Sequence, residues 1–380
     1  MFDAWTVHGS GGVLTMSAPE PGLSRRRLFG LAGGAAAALA LGGCGSLGGG
    51  GSKDGKLHLN MFIWAGSNQG VLPREVVKQF LAENPEVSID FVESNNTVTY
   101  PKMVAAKKTT PDDNYVDFGF FNASTFAQGV EDEMWDALNP SVVTNMSHVL
   151  KPYQVKDNMG AGYQLTVAGL LHNKKVAPAA PTSWKALWDP AFAGKVAVFD
   201  YQWIPLVLAA RLNGGSEKNI DPGFKVWAEH AGQFKALLNS NDQLLNLMSS
   251  GDAALSYWWY GISKDWIKGG APFEYVTPAE GAVSFPAYLA MVSNLNSEQK
   301  DVAQQIINRL LEAKAAGRYA DLTGTIAATD NAVLTERQKK DPALQPEVGQ
   351  KAMQFDWGAI ASQDAEWRKR WDSEVKSRMK

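Results

Sequence analysis

Two places in this chain concentrate groups with chemistry to do. One is Cys44, the single cysteine of 380 residues, which ends the run Leu41-Gly42-Gly43-Cys44. That ending resembles a lipobox, in which cleavage leaves the cysteine first and its sulfur carries a lipid. Arg25, Arg26 and Arg27 stand before Leu28 and Phe29, the pattern of a twin-arginine export signal. The uncharged stretch 28–43 is too short and too weakly apolar for a membrane span of about 20 residues. The other place is Tyr257-Trp258-Trp259-Tyr260, four flat side chains in a row in a chain with 13 tryptophans. On a strand, alternate members of such a run point to opposite faces, so half of them belong to ordinary packing. Trp259 and Tyr260 sit where the strand should end and are assigned to a cleft. Trp203 stands evenly between cleft and packing.

Other chemistries find no foothold. His58, His148, His172 and His230 are scattered without the spacing of a zinc site, and His58 and His172 fall in strands where a structural role is expected. There is no HExxH, no GxSxG and no GxxxxGK[ST]. Gly194-Lys195 lacks the flanking residues of a phosphate loop, and the glycines of 45–51 read as a tether. Without a nucleophile–base pair, no catalytic residue, no metal and no cofactor are expected. An exported hydrolase or lyase built on a carboxylate pair such as Asp252 and Glu280 stays open as the enzymatic alternative.

The elements that must position the cleft residues follow from periodicity. Residues 58–64 and 87–92 read as strands, 72–84 as a helix, 100–108 as another, and 116–121 as a short apolar strand. Strands alternating with helices imply a parallel sheet, whose ligands lie beyond the carboxyl ends of the strands. That rule places residues 64–68, with Trp64 and Ser67, and Asn122 to Ser124 at a crevice. The grammar repeats in strands 164–172, 194–200, 253–261 and 273–276, with a short helix at 181–188. An amphipathic helix follows at 297–314. Trp367 and Trp371, one helical turn apart, are read as packing residues. About 325 residues after the export segment exceed what one core holds, so two domains are expected.

Residues 1–43 are read as signal peptide and 44–55 as a Gly/Ser tether. Removing 1–43 deletes two acids and three arginines, which takes the net charge from −3 to −4. That mild acidity points away from nucleic acid or an anionic membrane surface as partner.

Five segments in order carry a family resemblance: the strand ending in Trp64; 181–196 with Asp189-Pro190-Ala191-Phe192-Ala193-Gly194-Lys195-Val196; Ser250-Gly251-Asp252-Ala253-Ala254-Leu255; Pro278-Ala279-Glu280-Gly281-Ala282-Val283; and Ile306-Ile307-Asn308-Arg309-Leu310-Leu311. From about Leu57 to its end the chain resembles the substrate-binding proteins of ATP-driven importers, in the branch with the spermidine/putrescine-binding proteins. The resemblance implies a two-lobed α/β fold of the type II periplasmic-binding kind, each lobe a mostly parallel sheet flanked by helices. Lobe one is expected at 56–160 plus 278–318, and lobe two at 161–277 plus 319–380. It implies closure on a small molecule by hinge motion, delivery to an ABC permease, and a monomer. A subunit of a membrane sensor would look the same.

The resemblance also assigns the site. Trp64, Trp259 and Phe285 match its aromatic positions; Asp200 and Tyr201 fall near its acid positions, and Tyr260, Ser67, Asn122 and Ser124, placed by the strand-end rule, complete the expected set. The acids that hold polyamine ammonium groups fall on Ala287, Tyr201 and Ile204, with Asp200 the one carboxylate nearby. A desolvated diammonium without carboxylate partners costs several kcal/mol. A polyamine is therefore disfavoured, and a small amine or a flat organic molecule between aromatic walls is expected. The export reading predicts that Cys44→Ala leaves the membrane fraction, and that lysines at 25, 26 and 27 block export. Cell fractionation and immunoblotting check both.

Overall fold

The computed structural model describes residues 52–379 except 54, 67, 112, 178, 201 and 202. The export signal, Cys44, the tether up to 51, Ser67 and Tyr201 lie outside the described residues. Strand β1 (Lys56–Trp64) buries Leu59, Met61, Phe62 and Ile63, and α1 (Val71–Glu83) covers it with Leu72, Val76, Val77 and Phe80. β2 (Val87–Ser94) and β3 (Phe118–Asn122) lie parallel to β1. They are joined through α2 (Asn96–Thr109), and α3 (Ala123–Glu131) follows β3. Gly119 lets β3 close on β1, because a Cβ there would meet the Phe62 carbonyl oxygen at 2.2 Å.

The long strand β4 (Ala161–Asn173) opens the second half. β5 (Val196–Phe199), α4 (Ile204–Leu212), α5 (Asp221–His230), β6 (Phe234–Leu238), α6 (Asn241–Ser250) and β7 (Leu255–Trp259) follow, with β5 parallel to both β6 and β7. Then come α7 (Tyr260–Lys268), β8 (Phe273–Val276) and a second long strand, β9 (Val283–Val292). Helices α8 (Ser297–Leu310), α9 (Ala313–Thr323) and α10 (Trp357–Arg370) close the chain. The sheet order β1-β3-β9-β4-β7-β5-β6 places β9 and β4 side by side and antiparallel in the middle. Each therefore caps one parallel set: β9 runs antiparallel to β3, and β4 antiparallel to β7. This is the expected α/β arrangement.

Two large apolar cores sit on this sheet. The first gathers Leu59, Phe80, Phe120, Tyr163, Val167, Leu289, Ile306 and Leu310. The second gathers Ala168, Leu170, Val198, Leu206, Trp227, Tyr257, Trp367 and Trp371. Core membership along β4 changes between Val167 and Ala168. Tyr319, Ala320, Ile326, Ala343 and Leu344 pack into the first core, although the sequence reading puts residues after 318 with lobe two. The reason is that α9 follows α8 with two residues between them and lies against α1 and β4, while the chain returns to the second core at Met353 and Phe355.

Three local expectations change. The strand read at 253–261 ends at Trp259, and Tyr260 starts α7. The helix read at 181–188 is a single 3₁₀ turn, Trp184–Trp188. The segments 204–212, 221–230, 234–238 and 241–250, left unassigned by periodicity, form α4, α5, β6 and α6.

Asp117 joins three strands at the head of β3. Its Oδ2 accepts from Asn60 N at 2.6 Å, its own N–H donates to the Asn60 carbonyl at 2.9 Å, and its carbonyl accepts from Val292 N at 2.7 Å. Burial pushes the carboxyl pKa up to about 6 against the pull of the Asn60 and Asn114 hydrogen bonds. A raised carboxyl pKa favours the protonated folded form, so this group's contribution is most favourable below the unfolded pKa near 4. It is lost as pH climbs to about 6. Asp117→Asn keeps an acceptor for Asn60 and removes the titration. The stability difference between variant and wild type should grow by about 3 kcal/mol from pH 4 to 6.5, at ~1.4 kcal/mol per unit, and stay level above. Urea unfolding across that range measures it.

Candidate functional site

The three parallel strands of the first set end at one place. Trp64 closes β1, Ser94 closes β2 and Asn122 closes β3. A pocket of about 370 Å³ opens there, within the usual range for a small molecule. Its walls are Trp64, Ala65 and Gln69 from the β1 end, Ser94 to Thr97 from the β2–α2 junction, and Asn122 at the β3–α3 junction. Gln164 and Thr166 come from β4, and Phe285, Pro286 and Ala287 from β9. Two other cavities, about 290 Å³ along 140–161 and about 620 Å³ between α3 and α10, lie away from these strand ends.

Local sequence explains each wall. Asn95 caps α2 by accepting from Val98 N at 3.0 Å, and Asn122 caps α3 by accepting from Thr125 N at 2.9 Å. Both helices therefore start at the pocket with no acid in the first turn. Pro286 has no N–H to give to the β4 ladder, and the register slips between Ala287 and Tyr288. That slip bends β9 beside the pocket. Beneath it lies an aromatic layer in which Trp64 meets Phe120 at 5.9 Å and Phe120 stacks on Tyr319 at 5.6 Å.

The polar wall is held by internal hydrogen bonds. Trp64 Nε1 donates to Asn96 Oδ1 at 2.8 Å, and Asn122 N approaches the same oxygen at 3.4 Å. Burial holds the Tyr319 phenol above its ordinary range, so it stays protonated and donates to Gln69 Oε1. Thr325 Oγ1 donates to Gln164 Oε1 at 3.0 Å. Among the described residues no Asp, Glu, Lys, Arg or His lines this pocket, and no cluster of His, Cys, Asp or Glu elsewhere forms a metal site.

The expected site residues divide three ways. Trp64, Asn122 and Phe285 line the one pocket, and Trp259 touches Phe285 from the second core at 5.8 Å. Phe285 also meets Trp357 of α10 at 4.6 Å, edge to face. Asp200, Tyr260 and Ser124 are elsewhere. Asp200 accepts from Trp371 Nε1 at 3.0 Å and pairs with Lys376 Nζ at 2.9 Å, so its charge is taken by the C-terminal segment. Tyr260 is 5% exposed, donates to Asp341 and accepts from Lys264 Nζ at 2.7 Å, because α7 begins with it and turns it into the first core. Ser124 sits in the first turn of α3, half-buried and outside the pocket wall. Trp203, the evenly weighed residue, is packing: it is buried and donates to Asp364 at 2.7 Å. His172 is wholly buried against the Ala177 carbonyl, the structural role expected of it.

Sequence reading missed Gln69, Ser94, Asn95, Asn96, Thr97, Gln164 and Thr166. The strand-end rule that found Trp64 and Asn122 applies equally to Ser94-Asn95-Asn96, directly after the strand at 87–92. Gln164 and Thr166 gave no such signal, since they lie inside β4 and reach the pocket only through the β4–β9 pairing.

A two-set α/β sheet with a charge-free pocket at the strand ends defines a solute-binding scaffold. The family of bacterial extracellular solute-binding proteins matches residues 93–348, and the chain belongs to it. The spermidine/putrescine-binding periplasmic protein of Escherichia coli K12 is 25% identical over 295 residues, covering 73% of this chain and 81% of that protein. Among solved structures, an ABC transporter protein from Clostridium perfringens shares the fold with a TM-score of 0.73 at 22% identity, over 83% of this chain and 99% of that one. The spermidine/putrescine substrate-binding protein PotD of Streptococcus pneumoniae gives 0.66 at 18% identity, over 83% and 99%. The expected family and fold are borne out, with the extracellular or periplasmic setting that the family carries. No helix of the described residues is long and apolar enough to cross a membrane.

The division of roles is testable. Phe285→Ala should weaken retention of the co-purified solute roughly thirtyfold, the effect of about 2 kcal/mol at a desolvated aromatic wall. Tyr260→Phe and Asp200→Asn should lower the melting temperature by several degrees and leave solute affinity unchanged. Native mass spectrometry and calorimetry read both effects.

Proposed function

We propose that this chain is the substrate-binding component of an ABC importer that captures one small organic solute in the pocket at the ends of β1, β2 and β3. The observation that carries the reading is the convergence of those strand ends with Trp64 and Phe285 around a pocket of about 370 Å³. Phe285 touches Trp259 and Trp357, both packed on the second core, so the pocket's aromatic wall is continuous with the other lobe. We take β4 and β9 as the hinge, since both run from one core to the other, and the two cores as the two lobes. The boundary then falls near 167/168 on β4, and residues 319–344 move to lobe one. A pocket without a carboxylate gives no partner to a polyamine and favours a flat solute over an amine. No chemistry on the solute is assigned, and Cys44 is proposed as the lipid anchor that keeps the protein beside its permease as a monomer.

A strain lacking this chain should lose accumulation of the solute that native mass spectrometry finds on the purified protein. Re-expression of wild type should restore uptake and Phe285→Ala should not. Unchanged uptake alongside a lost transcriptional response to the solute would assign the protein to a sensor.

A further inference from the structure

We propose that the pocket is built for an oxyanion: its solute carries a carboxylate, phosphate or sulfonate group. This rests on the pocket being the solute site. Backbone and indole N–H groups can only donate, so they fix the orientation of any carboxamide they meet. Asn95 Oδ1 accepts from Val98 N at 3.0 Å, Asn96 Oδ1 from Trp64 Nε1 at 2.8 Å, and Asn122 Oδ1 from Thr125 N at 2.9 Å. All three amide oxygens are consumed inside the wall, which leaves the NH₂ group as the uncommitted end of each of these three side chains. Asn96 is 5% exposed, and its Nδ2 has no partner among the described residues. A buried donor left without an acceptor is costly, and a solute oxygen is the acceptor the pocket lacks.

The backbone points the same way. Helices α2 and α3, of 14 and 9 residues, both begin at this wall. Their first N–H groups have no intrahelical acceptor, and their dipoles place positive potential at the pocket. Neither first turn holds an acid to cancel it. The nearest carboxylate in sequence, Glu93, is taken by Arg74. The pocket is thus donor-rich and electropositive without a single formal charge. A cation meets no counter-charge there and two opposing helix ends, while an oxyanion meets amide donors on several sides.

The test uses the full exported protein, freed of bound solute. The small-molecule fraction of a host lysate is separated into a pool retained by an anion exchanger, one retained by a cation exchanger, and one retained by neither. Each is added while the melting temperature is read. The anionic pool should raise it. Asn96→Asp, Asn95→Asp and Asn122→Asp each keep the accepting oxygen and replace the free NH₂ with a negative oxygen. Aspartate caps helices as well as asparagine, so Asn95→Asp and Asn122→Asp should fold with unchanged melting temperature in buffer, while Asn96→Asp, which places a carboxylate on a residue 5% exposed, should fold but melt lower. Calorimetry with the anionic pool's active component should show affinity at least tenfold weaker in Asn96→Asp and in one of the two cap variants. Stabilisation by the cationic or neutral pool alone overturns the inference and leaves solute binding intact. Equal affinity in all three folded variants also overturns it. If no pool stabilises the protein, the solute-binding reading falls and the inference with it.

Discussion

The pairing of β4 with β9 is the constraint on which the rest depends. Two strands of 13 and 10 residues run antiparallel through the middle of the sheet and are buried along most of their length. Each closes one parallel set on its outer side, so neither set has an open edge toward the centre. Both carry side chains into the first core at one end and the second at the other. Their shared hydrogen bonds make two cores into one molecule.

That pairing also assembles the pocket. Gln164 and Thr166 on β4 lie opposite Ala287 and Phe285 on β9, and Ala287 in turn pairs with Asn122 at the end of β3. These two ladders thus set the spacing of five pocket residues from three distant segments. Pro286 and the slip after Ala287 interrupt the β4 ladder beside the pocket. The chemistry of the wall follows from a similar economy: the asparagines that cap α2 and α3 spend their oxygens on the helices, and only their nitrogens are left uncommitted.

Aromatic side chains serve two separate purposes. Trp258 stacks on Phe199 at 3.8 Å, Trp227 on Phe234 at 4.4 Å, and Trp203 meets Trp367 and Trp371 edge to face. These rings, with Trp184 and Trp188, fill the second core and account for seven of the chain's 13 tryptophans without reference to a ligand. Among the described aromatic side chains only Trp64 and Phe285 line the pocket, with Trp259 and Trp357 against Phe285 behind it. A run such as Tyr257 to Tyr260 gives no sign of this division, since three of its four rings are buried.

Local pattern was enough for the parts of the chain whose neighbours in space are neighbours in sequence. Strands β1, β2 and β3, helices α1 and α8, and the crevice at Trp64 and Asn122 follow from alternation, helical spacing and the strand-end rule. Helix α4 escaped because seven of its nine residues are buried, which erases the amphipathic signal. Tertiary structure alone decided the rest. Asp200 reads as a cleft carboxylate until the C-terminal segment brings Trp371 and Lys376 to it, 171 and 176 residues later in the chain. Tyr260 reads as a strand end until α7 turns it onto Asp341. Gln164 and Thr166 become pocket residues only through a ladder more than 100 residues long in sequence. Residue type and spacing determined which groups were available, and long-range pairing decided which of them met, because charge neutralisation and burial depend on partners that periodicity does not record.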